Sequence, residues 1–98
     1  MNITMNYEKQ LLSTIINKIG ILARKYDVEE NYKFAIELYE LLSSIDSSYD
    51  DGFNAHAIGQ CYEKLGDKLA AHKYFKFALN ANPGIPEYQD AEQRLRSI

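Results

Sequence analysis

The pattern of apolar and polar positions along the chain predicts helices throughout and no strands. Apolar residues recur at intervals of three and four, which is the spacing of one face of an α-helix, rather than at intervals of two. Turn-forming residues divide this pattern into five segments. The pattern predicts helices over about 6–27, 32–45, 52–65, 68–81 and 86 to nearly 98.

Short polar segments mark the ends of these helices. Gly66 suits the left-handed position after a helix, and Asp67 can cap the next helix because its short side chain accepts a free backbone N–H. Asn31 is the corresponding candidate cap in the first half of the chain. Pro83 ends the fourth helix, since proline cannot continue the hydrogen-bond ladder, and Pro86 suits the first turn of the fifth.

The two halves of the chain align when the sequence is shifted by 36 residues. Residues of similar size and polarity then coincide at helical spacing, which is the mark of a structural repeat. Each half is therefore predicted to form a helix, a short turn and a second helix. The aligned pairs are Leu22 with Ile58, Ala23 with Gly59, Tyr26 with Tyr62, Asn31 with Asp67, Ala35 with Ala71, Tyr39 with Phe75, and Leu42 with Ala78.

The segment 52–83 resembles one tetratricopeptide repeat (TPR). That family's pattern opens W-x2-L-G-x2-Y and continues through A-x3-F to a closing proline. The preceding unit matches less well, since Leu42 fills a small-residue position and Ser47 replaces the closing proline. The matching residues are Ile58, Gly59, Tyr62, Gly66, Ala71, Phe75, Ala78 and Pro83, with Ala55 in the tryptophan position.

The resemblance covers roughly residues 16 to 98 and implies an all-α, TPR-like helical hairpin array, an α-solenoid of about five helices. Gly59 and Ala71 would let two helix backbones approach closely, with Tyr62 and Phe75 filling the remaining space. A large side chain at Ala71 would cost about 1–3 kcal/mol by overpacking. The single domain 1–98 would comprise an N-terminal helical extension 1–15, repeats over 16–49 and 52–85, and a capping helix over 86–98.

The sequence contains no constellation that predicts an enzyme, a cofactor or a metal site. Cys61 and His56 lie five residues apart on one predicted helix, so they point about 140° apart, and we expect Cys61 to be a buried, inert thiol. Neither His56 nor His72 has a second ligand at metal-binding spacing. The spacing of Asp46, Ser48 and Asp50 hints at a calcium loop, but Asp51 and Ala57 occupy the positions that need glycine and glutamate. The segment 47–52 is instead predicted to be a polar connection, with Asp51 as a cap for the next helix.

Charge and composition bear on the partners and on the compartment. The formal net charge is −3, with acidic and basic residues interspersed, so the basic stripe of a nucleic-acid binder is missing. No apolar run approaches the ~20 residues of a membrane span, and the first residues lack the features of a signal peptide. The single cysteine has no partner for an internal disulfide, which favours a reducing, cytoplasmic location.

The resemblance implies a concave groove in which the first helix of each repeat binds a peptide or helix of another protein. Phe53, an aromatic residue among polar ones, is typical of a binding anchor. The alternative is that these residues are simply solvated helix faces. The expected groove residues are Asn17, Gly20 and Arg24 on the first helix, Phe53, His56 and Gln60 on the third, and Asp90 and Arg94 on the capping helix.

The N-terminal extension carries an apolar arc that no predicted hairpin covers, formed by Tyr7, Leu11, Leu12 and Ile15. Soluble monomers rarely leave such a patch in water, and two repeats are fewer than the ~3 usually needed for a stable core. We therefore expect the extension to form a homodimer or to dock a partner helix. The alternative is a turn at Ser13–Thr14 that folds the extension back onto its own chain.

Three functions fit these features. The first is an adaptor that binds a peptide or helix, and it is the function we favour. The second is a homo-oligomeric assembly element whose groove is filled by another copy. The third is a small chaperone for an exported protein subunit, since the small TPR chaperones of type III secretion resemble this chain in size and plan. No residue in the sequence distinguishes the chaperone from the adaptor.

Overall fold

The computed structural model describes residues 3–45 and 52–96, with side chains described from Asn6 onward, and these residues form five α-helices and no strand. The predicted helix boundaries agree with the structure to within two residues, except that the first helix begins three residues before the expected start at Asn6. The prediction of an all-helical chain with five helices is confirmed. The predicted connection over 47–52 lies outside the described residues except for Gly52. The helices are α1 (Ile3–Val28), α2 (Tyr32–Ile45), α3 (Phe53–Lys64), α4 (Lys68–Ala81) and α5 (Pro86–Arg96).

The turn between α1 and α2 repeats the backbone geometry of the turn between α3 and α4. The N–H of Asn31 and the N–H of Asp67 each donate to the tyrosine carbonyl five residues earlier, at 2.8 and 2.9 Å. The residue before each of them is left-handed: Gly66 at φ 86°, as predicted, and Glu30 at φ 65°. The Asp67 carboxylate also caps α4, accepting the N–H of Ala70 at 3.1 Å. The 36-residue offset of the sequence is therefore also present in the backbone.

Each helix packs against the next one along the chain. α3 and α4 approach closely at Gly59, where a Cβ atom would lie 2.6 Å from the Phe75 ring and 3.2 Å from the Ala71 carbonyl oxygen. Phe75 and Ala71 are both fully buried. Glycine is thus required at position 59 for the two helices to sit this close.

The buried side chains form two clusters, and Tyr62 packs against both of them. The larger cluster joins α1, α2 and α3, and the smaller joins α4 to α5. The larger consists of Ala23, Ala35, Ile36, Tyr39, Leu42, Ala57, Ile58 and Cys61. The smaller consists of Ala71, Phe75, Ala91 and Leu95.

α1 projects well beyond its partner helix. It has 26 residues against 14 in α2, which at 1.5 Å per residue leaves an overhang of about 18 Å. Every side chain over 6–15 is exposed, and Ile16 is the first to be half-buried. The alternative of a fold-back at Ser13–Thr14 is wrong, because the helix is continuous there and the Thr14 hydroxyl donates to the Gln10 carbonyl at 2.9 Å. Despite this length, no helix in the described part of the chain is long and apolar enough to cross a membrane.

Candidate functional site

A depression between α1, α2 and α3 collects most of the side chains expected in the groove. It consists of two adjoining cavities of 190 and 240 Å³, both lined by Arg24, Tyr39 and Phe53. We call this depression the inner groove. Its lining includes Asn17, Gly20, Arg24, Phe53, His56 and Gln60, together with Asp27, Tyr39 and Asn54.

Phe53 is the first residue of α3, and its side chain is 55% exposed at the point where the two cavities join. Gly52 precedes it in the left-handed conformation, at φ 85°. A Cβ atom on Gly52 would lie 2.7 Å from the carbonyl oxygen of Ala78. The start of α3 therefore sits directly against α4, and this contact fixes where Phe53 emerges from the surface.

Arg24 contributes a positive charge to the inner groove. Elsewhere among the described residues, ion pairs join Arg94 to Glu63 and Arg96 to Glu92, but none involves Arg24. Its guanidinium group carries several donors in a planar fork that matches a carboxylate or a backbone carbonyl. An exposed aromatic ring and a cation that is in no such ion pair therefore lie side by side on this surface.

Asp27 and Tyr39 form the polar floor of the inner groove, and sequence reasoning did not single out either residue. The Tyr39 hydroxyl donates to Asp27 Oδ2 at 3.0 Å. Burial, and then the charge of Asp27, raises the pKa of Tyr39, so its hydroxyl stays protonated and keeps this bond. The repeat alignment contained a sign of this hydrogen bond. Tyr39 aligns with Phe75, and the hydroxyl that distinguishes tyrosine from phenylalanine needs a polar partner when it is buried.

Cys61 lies beneath this floor and is fully buried, so the prediction of a buried thiol is confirmed. Burial, followed by the charge and hydrogen bond of Asp27, raises the pKa of the Cys61 thiol to about 12. A thiol that is both inaccessible and protonated at neutral pH is a poor nucleophile. Cys61 is therefore a packing residue of the core.

His56 reaches the inner groove with only part of its surface. Its ring is half-buried, with centroids 5.4 Å from Phe75 and 4.7 Å from Tyr88. Burial lowers the pKa of His56; Glu87 opposes this shift and Arg94 adds to it. The Nδ1 atom is buried and has no hydrogen-bond partner among the described residues. The contact of His56 with Tyr88 of α5 was not predicted from the sequence. Because burial favours the neutral imidazole, His56 lines the groove as an uncharged ring at pH 7.

The two expected residues of the capping helix do not line either cavity. Arg94 is engaged in an ion pair with Glu63 of α3, which ties α5 to the end of α3. Asp90 is exposed on the same helix. The structure therefore brings the α1 and α3 residues together in the inner groove and leaves the two α5 residues out of its lining.

The apolar arc of the N-terminal extension is exposed along its whole length. The exposed fractions of Tyr7, Leu11, Leu12 and Ile15 are 68, 51, 48 and 42%. α2 ends too early to cover these side chains, and no other described element packs on them. None of the four arc residues lines the inner groove.

One buried polar contact of α4 and α5 was also missed by sequence reasoning. Glu92 is buried, accepts hydrogen bonds from Arg96 at 2.7 to 3.1 Å, and has an oxygen 3.8 Å from His72 Nε2. Hydrogen bonds from Arg96 lower the pKa of Glu92. His72 and Glu92 are on different helices, so no spacing rule within one helix could pair them. Within the described ranges, no three His, Cys, Asp or Glu side chains are grouped to hold a metal ion.

Comparison with protein-family models, with curated proteins and with solved structures finds no match to this chain. The resemblance to the TPR pattern therefore rests on the residues quoted for it.

Proposed function

We propose that this chain is a TPR-like interaction module that binds a peptide or helix of a partner protein in the inner groove. The observation that supports the proposal is the convergence of Asn17, Arg24, Phe53, His56 and Gln60 on one depression. These residues come from two helices that are not adjacent in the chain. The repeated turn geometry at Glu30 and Gly66 supports the TPR-like arrangement of the hairpins.

Binding in this groove would combine one apolar anchor with several polar contacts. Full burial of an aromatic side chain contributes about 1.5–3 kcal/mol, and Phe53 still has 55% of its surface to bury. Arg24 can pair with a carboxylate or a carbonyl of the partner, and the amides of Asn17 and Gln60 can bond to its backbone. The small volumes of the cavities suit one or two protruding side chains rather than a drug-sized ligand.

Alanine at Phe53 tests the proposal, with alanine at Phe34 as the matched control. Both phenylalanines are about half exposed, at 55 and 52%, but Phe34 lies on α2 outside the groove. Tagged protein would first capture the partner from an extract of the native host, and mass spectrometry would identify it. Titration with the purified partner would then measure affinity. We expect Phe53→Ala to weaken binding at least about fivefold, as for a hot spot, and Phe34→Ala to leave it unchanged. The opposite ranking would show that the groove is not the site.

A homo-oligomeric assembly element is the second candidate function, and the exposure of Tyr7, Leu11, Leu12 and Ile15 favours it. In that case the partner is another copy, attached through the N-terminal extension. Light scattering after size-exclusion chromatography separates the two candidates. A chaperone for an exported subunit would use the same inner groove as an adaptor, and the identity of the captured protein decides between those two.

A further inference from the structure

A second groove lies on the other side of α3, between α2 and α4. It has two lobes, of 580 and 290 Å³, and Glu40 lines both of them. None of its lining residues lines the inner groove. We call it the outer groove. Apolar atoms make up most of its exposed lining, and the apolar residues that line it include Tyr62 and Leu65 in the larger lobe and Ala55 and Phe77 in the smaller.

A row of aromatic rings forms one wall of the outer groove. Tyr62 and Tyr74 stack with centroids 5.6 Å apart, and Tyr74 meets Phe77 edge-on at 5.7 Å. The Tyr74 hydroxyl crosses from α4 to α2 and donates to Glu40 Oε1 at 3.1 Å. Glu40, which accepts this bond, lines both lobes. The ammonium of Lys73 already lies over the Tyr74 and Phe77 rings, at 5.7 and 5.9 Å, so Tyr62 is the ring left for a cation in the larger lobe.

Negative charge surrounds the larger lobe. Glu37 and Glu40 lie one turn apart on α2, Asp67 closes one end, and Lys33 is the single basic residue of the lining. Within the described residues neither glutamate forms an ion pair. An aromatic surface beside two such carboxylates complements a guanidinium or ammonium group, which can stack on the ring while its N–H groups bond to the acids. An acidic ligand would meet like charges here, and so would nucleic acid.

We propose that the outer groove binds a basic, amphipathic segment of a partner protein. An arginine or lysine of that segment enters the larger lobe between Tyr62 and the carboxylates of Glu37 and Glu40. An apolar side chain of the same segment enters the smaller lobe beside the half-exposed ring of Phe77. This site is independent of the inner groove, so it stands or falls separately from the function proposed above.

Synthetic peptides test the proposal directly. One twelve-residue helical peptide carries an arginine one turn away from a leucine. A second peptide replaces the arginine with citrulline, which has the same shape but no charge, and a third replaces it with glutamate. Each is titrated into the isotope-labelled full chain at low salt and followed by amide chemical shifts. We expect the arginine peptide to bind about tenfold tighter than the citrulline peptide, and the glutamate peptide weakest. The shifts should centre on Glu37, Glu40 and Tyr62.

Two charge-matched double variants complete the test. Glu37→Gln with Glu40→Gln should remove the preference for arginine over citrulline. Glu8→Gln with Glu29→Gln removes the same charge from exposed positions on α1 and just beyond its end, and should leave the preference intact. Circular dichroism confirms that both variants remain folded. The proposal is overturned if no peptide binds, if arginine and citrulline bind alike, if the shifts centre on Phe53, or if the two double variants behave alike.

Discussion

Replacing Gly59 with alanine tests how closely α3 and α4 must pack. The added Cβ would lie 2.6 Å from two carbons of the Phe75 ring and 3.2 Å from the Ala71 carbonyl oxygen. Neither neighbour yields easily, because the ring is fully buried and the oxygen belongs to the α4 backbone. Alanine therefore has to push the two helices apart or force the Phe75 ring from its position.

The expected net loss follows from two opposing effects. Alanine within a helix is favoured over glycine by about 1 kcal/mol. Overpacking a core costs about 1–3 kcal/mol, and a contact as short as 2.6 Å calls for the upper part of that range. We expect Gly59→Ala to lower the free energy of unfolding by about 1–2 kcal/mol. For a domain of this size that lowers Tm by about 5–15 °C.

Gly20→Ala supplies the matched control, since Gly20 is also a helix-interior glycine. Its Cβ would meet Arg24 at 3.7 Å and Leu42 at 3.9 Å, which are ordinary contacts. Only the gain in helix propensity remains, so this variant should be about 0.5–1 kcal/mol more stable than the parent.

Urea and thermal unfolding, followed by far-ultraviolet circular dichroism, measure both variants. A third variant, Phe75→Leu, closes a double-mutant cycle with Gly59→Ala. Leucine relieves the ring contact, so the two substitutions should be coupled favourably by about 1 kcal/mol. The relief is incomplete because the Ala71 oxygen stays in place. If Gly59→Ala is as stable as the parent, or if both glycine variants shift by the same amount, the close approach is not what constrains position 59.

Three further predictions concern the turn, the groove wall and the extension. Glu30 has a left-handed backbone at φ 65°, which glycine adopts without strain, so Glu30→Gly should raise the free energy of unfolding measured with urea by about 0.5–1 kcal/mol. Gly66→Glu places a side chain on the matching left-handed residue and should lower that free energy, and a change of the same sign and size in both variants would refute the prediction. Burial lowers the pKa of His56 in the folded chain, so as the pH falls from 7.5 to 5.5 this imidazole is protonated first in the unfolded chain. The free energy of unfolding should therefore fall over this range, by at most about 1.4 kcal/mol per pH unit. His56→Phe keeps an aromatic ring in this place and should flatten the dependence of Tm on pH over that range. If the slope is unchanged, the pH dependence comes from other titratable groups. If the chain self-associates through the apolar arc, the double variant Leu11→Lys with Leu12→Lys should be a monomer by light scattering and keep its helix content. If the parent chain is already a monomer, the arc does not mediate self-association.

The helices could be predicted because their boundaries depend on local chemistry. Gly66 and Asp67 end one helix and start the next through contacts within a few residues, and the sequence contains those contacts explicitly. The start of α1 was misplaced by three residues: Thr4 and Asn6 are both of types that can cap a helix, yet the helix continues past both to Ile3. Burial was less predictable than boundaries. Leu22 and Ile58 align in the two repeats, yet Leu22 is 39% exposed and Ile58 only 2%. The difference arises because α2 covers Ile58 of α3, whereas no described helix covers Leu22 of α1 in the same way.

The groove residues of α1 and α3 could be predicted in part for a different reason. Helical periodicity fixes the direction of each side chain around its own axis, so residues that share a face can be grouped before the helices are packed. It does not fix how two helices cross. The contacts that were missed join residues far apart in sequence: Tyr39 to Asp27 across 12 positions and Tyr74 to Glu40 across 34. These pairings depend on the crossing of α2 with its neighbours.

The two proposed grooves share α3 and differ in charge: Arg24 and Asp27 are the charged residues of the inner lining, whereas the outer lining has three carboxylates and one lysine. Phe53, His56 and Gln60 of α3 line the inner groove, while Ala55 and Ile58, among others, line the outer. The glutamates of α2 repel an acidic segment from the outer groove, whereas Asp27 offsets the charge of Arg24 in the inner groove, which repels neither sign strongly. Specificity is a difference between affinities, and repulsion of the wrong ligand raises that difference as effectively as attraction of the right one. Since the grooves share no lining residue, a basic segment in the outer groove leaves the inner groove open to a second segment on the opposite side of α3.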